Sequence, residues 1–182
     1  MTAILNQHEN YLQADQAYGF PLLIKNLLSR AKVVSGDKKI HYADKTSYTY
    51  HEFFKRVNRL ANVLKGLNLQ KGDVVAVMDW DTHRYLECYF AIPMCGYILQ
   101  TVNVRLSEDK VLYTINHAKP KALLLNSEFS PMIKSHTQDA PSVEHVIWLD
   151  DNNTPMAPYA QGEYEAMLAQ ASDEYEFEDF DE

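Results

Sequence analysis

Glycine is missing where an anion-binding loop would need it. Six glycines occur in 182 residues, and none lies in MDWDTHRY (residues 78–85), which joins a strongly apolar strand candidate to the helix after it. Nucleotide-binding α/β proteins place glycines at that junction so that backbone N–H groups can approach phosphate. Two aspartates there would repel it. Neither G-x-x-x-x-G-K-[ST] nor G-x-S-x-G occurs, so the sequence has no P-loop and no nucleophile elbow. Cysteine is nearly absent, with only Cys88 and Cys95. Seven residues of helix would separate them by about 10.5 Å, beyond the roughly 7 Å reach of a disulfide. Two free buried thiols fit a reducing compartment, and the cytoplasm is expected. No run of about 18 apolar residues could span a bilayer. The opening MTAILNQHENYLQADQ lacks the basic start and apolar core of a secretory signal. Positive charge is in deficit: the net charge of −8 argues against a nucleic-acid partner, because phosphate backbones select clustered Lys and Arg. The seven histidines form no H-x-x-x-H pair, and no metal site is expected.

Hydrophobic residues make up 46 % of the chain, enough for a core. Four apolar segments, 73–78, 98–104, 121–125 and 143–149, are too short for helices and predict buried strands. Amphipathic helices alternate with them. The pattern predicts an α/β fold, a mainly parallel sheet flanked by helices, around a right-handed βαβ unit at Lys71–Arg105. Before it, Lys38–Ala43 and Thr46–Tyr50 predict a hairpin turning in two residues at Asp44-Lys45. Thr49 and Glu52 have the spacing of a capping box. The helix they open carries Phe53, Val57, Leu60, Ala61 and Leu64 on one stripe, with Lys55, Arg56 and Arg59 off it, and ends near Gly66. The helix over 82–94 is apolar on most sides, with Asp81 or Thr82 as its cap and Pro93 bending or ending it. Ser107 is the expected cap of the next helix, whose stripe is Val111, Leu112, Ile115 and Ala118. An earlier helix begins near Pro21 and places Leu23, Leu27 and Leu28 on one face. Short helices are expected from Ser130-Pro131 and over 162–171. Residues 1–19 form an N-terminal arm, 20–171 the α/β subdomain, and 172–182 an acidic linker. The last ten residues, DEYEFEDFDE, carry seven acids and three aromatics, a composition for solvent or for docking on a partner surface. Cys88, Cys95, Asn116 and His117 suit structural roles, and no catalytic group is assembled by the pattern.

Taken in order, five elements resemble the N-terminal region of fatty acyl-CoA ligases, the medium- and long-chain acyl-CoA synthetases of the AMP-forming adenylate ligase superfamily. They are the T-Y-x-E start at Thr49–Glu52, G-D-x-V-A at Gly72–Ala76, the Pro93–Gly96 bend, T-x-N-x-R-L at Thr101–Leu106 and Y-T-I-N-H-A at Tyr113–Ala118. The resemblance implies an enzyme that activates a fatty acid with Mg-ATP to an acyl-adenylate, releases pyrophosphate and passes the acyl group to CoA. The family's phosphate-binding loop, adenine motif and C-terminal lysine domain are not among these residues. The chain is therefore expected to be a scaffold segment, truncated before that loop and inactive alone, with the remainder of the ligase as its partner. ATP, Mg and CoA are implied only for the full-length protein, with fatty acid and CoA as its substrates. Homodimerisation through residues 1–30 is a further family expectation, and a stand-alone binding or dimerisation module is the alternative. One site residue carries over: Arg105, as a contact for CoA phosphate.

Overall fold

The computed structural model describes residues 23–180; the arm at 1–19 and Pro21 lie outside the described residues. Valine- and leucine-rich segments pair in parallel because both of their faces are apolar. Strands β3 (Val74–Met78), β4 (Ile98–Thr101), β5 (Ala122–Asn126), β6 (His145–Leu149) and β7 (Gly162–Glu163) form one sheet in the order β4-β3-β5-β6-β7, every pair parallel. The fold is the expected α/β sheet. Its last strand falls where a helix was expected: Gly162 and Glu163 add to the edge of β6, and helix α6 begins only at Tyr164 (Tyr164–Gln170).

Alternation along the strands divides the core in two. Val75, Val77, Leu124 and Ile147 face helices α2 (Tyr50–Gly66) and α3 (His83–Met94), with α6 beside them. Ala76, Met78, Leu123 and Trp148 face the other way, onto Val111 and Ile115 of α4 (Glu108–Ala118) and Phe129 of a 3-10 turn (Ser127–Met132). That turn begins after Asn126, whose side chain caps it, so Pro131 lies near its end rather than its start. A one-turn helix, α5, follows at His136–Asp139.

Strands β1 (Lys39–Tyr42) and β2 (Thr46–Thr49) make the hairpin, but Tyr42 opposes Thr46, so the loop has three residues. Ala43, at φ 44°, makes the reversal, a residue type that gives no left-handed signal in sequence. Thr49 caps α2 through its hydroxyl, which accepts from the Glu52 N–H at 3.2 Å. The reciprocal half of the capping box is not made, because the Glu52 carboxylate accepts from Arg59 at 2.7 Å. Thr82 caps α3, and Pro93 sits in its last turn, just before Gly96 reverses the chain at φ 80°. Ser107 holds the cap position of α4, yet its hydroxyl hydrogen-bonds Asp109. In α1 (Ile24–Ser35) only Leu28 is buried; Leu27 is 71 % exposed and Leu23 precedes the helix.

Between the hairpin and the helices lies a polar knot that amphipathic patterns would place in solvent. Glu87, fully buried on α3, accepts from Arg56 Nε at 2.6 Å, Tyr48 Oη at 2.7 Å and Tyr164 Oη at 2.6 Å. Arg56 also forks onto Glu165 through two bonds of 2.8 Å, and His83 Nε2 stands 3.3 Å from the same carboxylate. One ion network thus ties β2, α2, α3 and α6 together.

Ser172–Phe180 does not run into solvent. It lies extended across α2 and the end of α3, with Asn58 and Asn62 donating to the carbonyls of Asp173, Ser172 and Glu174 at 2.8–2.9 Å. Tyr175 and Phe177 pack against the core. Of the two readings its composition allowed, solvent or a docking surface, the segment lies on a surface of this chain.

Arg56→Ala would strand the Glu87 carboxylate in the core and is expected to cost about 3–5 kcal/mol, read as a shift of the urea midpoint; a loss below about 1 kcal/mol would mean that Glu87 finds other compensation. Acid should act on the same knot. Burial pushes the Glu165 carboxyl up, but hydrogen bonds from His83 and Arg56 and the Arg56 charge outweigh it and hold the group down to about 2, against an ordinary 4.5. A depressed folded-state pKa gives stability that is whole above the unfolded value and lost as pH falls below 4.5 toward 2. Thermal midpoints of the wild type should fall over that window, and those of Glu165→Gln should fall less.

Candidate functional site

Open parallel sheets bind ligands beyond the carboxyl ends of their strands, at the point where strand order reverses. Here β4 lies on one side of β3 and β5 on the other, so the switch point is between β3 and β5. Asp79, 3 % exposed, leaves β3 at that point. Its Oδ1 accepts from Asn126 Nδ2 at 2.6 Å and from the Trp80 N–H at 2.9 Å, and its Oδ2 from Thr82 Oγ1 at 2.6 Å. Burial raises the Asp79 pKa, with the Thr82 and Asn126 bonds and the Arg84 charge opposing it. Thr82 Oγ1 in turn accepts from the Tyr85 N–H at 3.3 Å, which occupies the start of α3.

Next to this cluster Arg84, buried at 2 % exposure, donates to Asp151 Oδ1 at 2.7 Å and to the Asp150 carbonyl at 3.3 Å. Burial works against its charge, and Asp79 and Asp151 more than restore it. Lys45 of the hairpin loop reaches the other Asp151 oxygen at 3.3 Å. Ser127 and the Thr154 N–H close on Asp150 at 2.6 and 2.9 Å. The first turns after three strands are therefore stitched to one another by their own side chains.

The rim of this sheet end is aromatic. Trp80 packs against Phe129 with ring centroids 4.9 Å apart and donates its indole N–H to Glu128 at 2.9 Å. Over its other part lies Arg105, exposed, with its guanidinium 5.7 Å from the Trp80 ring. Arg105 does not pair with Glu108, which instead meets Lys134 at 3.1 Å. A cation braced on an indole and open to water has the chemistry of a single phosphate contact. The same end does not fit a polyphosphate: Thr82 already caps α3, Arg84 is occupied, and Asp79, Asp81, Asp150 and Asp151 crowd the junction.

The remaining sequence candidates are structural. Both thiols are unpaired and buried, and burial raises them, Cys95 to about 11. Asn116 donates to the carbonyls of Leu112 and Asp139, which fastens α4 to α5. His117 stacks on Tyr113 at 6.0 Å. Among the described residues no group of three or more His, Cys, Asp or Glu is placed to hold a metal ion, and no helix is long and apolar enough to cross a membrane. Sequence reasoning missed Asp79, Asn126 and Arg84. A signal existed for the first: an aspartate ending an apolar strand, with threonine three residues on.

Fold and site together define a parallel α/β subdomain whose switch point is filled by its own polar side chains. Residues 28–176 match the family model described as AMP-binding enzyme, and the chain belongs to that family. It is 33 % identical over 147 residues to a long-chain-fatty-acid–CoA ligase of Thermus thermophilus, covering 81 % of this chain and 26 % of the relative. A benzoate–CoA ligase of Arabidopsis thaliana is 31 % identical over 159 residues, covering 84 % and 27 %. A medium-chain-fatty-acid–CoA ligase of Ectopseudomonas oleovorans is 29 % identical over 167 residues, covering 88 % and 31 %. The chain thus spans between a quarter and a third of the length of these three relatives. The crystal structure of the anthranilate CoA ligase AuaEII with anthranoyl-AMP shares the fold at a TM-score of 0.75 and 22 % identity, over 84 % of this chain and 29 % of that one.

Proposed function

We propose that this chain is the N-terminal scaffold segment of an AMP-forming acyl-CoA ligase, and that the whole protein converts a fatty acid, ATP and CoA to acyl-CoA, AMP and pyrophosphate. The segment itself is catalytically silent. The observation that carries this reading is the sealed switch point: between β3 and β5, Asp79 is engaged by Asn126 and Thr82, and the Arg84 guanidinium by Asp151. Adenylyl transfer needs pre-positioned donors that neutralise developing charge, and this end of the sheet presents carboxylates. Mg-ATP therefore belongs to the remainder of the ligase. Relatives of similar identity are named for long-chain, medium-chain and aromatic acids, which supports placing acid selection outside these residues.

Arg105 is the residue of this segment proposed to meet CoA, at a phosphate, with Trp80 holding its plane. Cytoplasmic location is supported by the two unpaired thiols. Self-association near the N-terminus is supported by Leu27, Val33 and Val34, apolar residues that α1 leaves exposed.

Calorimetric titration of the purified chain with Mg-ATP should give no micromolar binding, and a pyrophosphate assay with fatty acids should match a heat-denatured control. Micromolar binding or released pyrophosphate would make the segment an enzyme in its own right. In the full-length ligase, Arg105→Ala should raise the apparent KM for CoA by roughly tenfold, about 1.4 kcal/mol, with acyl-adenylate formation unchanged. An unaltered KM would return Arg105 to a structural role on Trp80.

A further inference from the structure

The segment Ser172–Phe180 is held by side chains of α1, α2 and the turn before β3. Among the described residues no backbone–backbone hydrogen bond joins it to the remainder. Its carbonyls accept instead from side chains: Asn58 to Asp173, Asn62 to Ser172 and Glu174, and Lys25 Nζ to Phe177 at 3.0 Å. Its acids meet a row of bases, Asp173 with Lys55 at 3.5 Å and Arg59 at 3.8 Å, Glu178 with Lys71 at 2.6 Å, and Asp179 with Lys25.

Its aromatics fill positions set by the opposing surface. Tyr175 packs against the core cluster that contains Cys95, and Lys65 lies 5.8 Å above its ring. Phe180 rests on Gly96, where a Cβ would come within 2.9 Å of its ring, and Lys71 covers it at 5.0 Å. The fit is incomplete. A hollow of about 190 Å³ remains between Phe180, Glu178, Pro93 and α1, and others flank Glu174 and Tyr175 along α2.

Side-chain donors aimed at carbonyls, bases spaced for acids and slots for alternate aromatics are the features by which a surface reads an extended peptide. We propose that the face of α1, α2 and the end of α3 is a recognition groove for an extended acidic–aromatic peptide, occupied in cis by Ser172–Phe180 and open in trans to the same segment of a second copy. The occupant follows from charge and sequence: the groove's bases match acids that this segment supplies at the matching spacing. Release breaks no strand pairing, so the sheet survives it.

Two measurements test this. Chymotryptic cleavage after Tyr175, Phe177 and Phe180 in the intact chain should accelerate roughly tenfold between about 0.05 and 1 M NaCl, since salt at the upper limit shortens screening to about 3 Å. The free peptide SDEYEFEDFDE serves as control for salt effects on the protease, and cleavage within β3 and β5 should stay unchanged. In the variant Tyr175→Ala/Phe180→Ala, which weakens the cis segment and leaves the groove intact, the labelled peptide should bind saturably and its affinity should fall with salt. A scrambled peptide should not bind. Cleavage that salt accelerates no more than in the free peptide overturns the proposal. So does failure of the peptide to bind a variant whose circular dichroism is native; should that variant unfold, the wild-type salt series decides.

Discussion

A carboxylate without access to water sits at the centre of the helical layer. Removing Glu87 from solvent costs several kcal/mol unless charge and hydrogen bonds replace hydration. Arg56 supplies the charge, and Tyr48 and Tyr164 supply the remaining donors. Tyr48 and Arg56 come from the adjoining β2 and α2, and Tyr164 from α6, more than a hundred residues further along the chain. Satisfying one oxygen pair therefore fixes where the hairpin lies on α3 and where the chain returns after β7. Arg56 is shared with Glu165, so the fork that neutralises Glu87 also orients the first turn of α6. Partly satisfied, such a network would be worse than an apolar core; fully satisfied, it selects one arrangement.

The central strands and the helix stripes were legible because burial leaves a periodic trace. Val75 and Val77 point one way and Ala76 and Met78 the other, as β-alternation requires. The resemblance in five short motifs was legible too, and the family match follows it. What sequence concealed has a common cause: side chains whose partners are distant in the chain. Arg56 lies off its helix's apolar stripe and reads as solvated until Glu87 is known to be opposite. Glu52 has capping-box spacing but is drawn away by Arg59. Gly162-Glu163 is too short to announce a strand and pairs only because β6 offers an edge. A lone acid within an otherwise apolar helix, as at Glu87, is the signal that could have located the network.

Polar side chains do two different jobs on opposite surfaces of this fold. At the carboxyl end of the sheet, Asp79 closes on Asn126 and Thr82, Arg84 on Asp151, and Trp80 and Arg105 meet at the rim. Across α2 and α3, Asn58, Asn62 and the lysines face outward and hold an extended segment by its carbonyls. The first arrangement ties the turns after three strands into one unit. The second fixes the path of Ser172–Phe180 through ion pairs that salt weakens.

The central claim is that the Glu87–Arg56 pair acts as a unit in holding the layer together. A double-mutant cycle with Arg56→Leu and Glu87→Leu, followed by urea denaturation, measures it most directly. Arg56→Leu strands the Glu87 carboxylate and Glu87→Leu leaves Arg56 with Glu165 alone, whereas the pair of replacements removes both partners. The account predicts that the double variant loses less stability than the sum of the singles, by about 2 kcal/mol or more. Additive losses would contradict it and reduce the network to independent contacts.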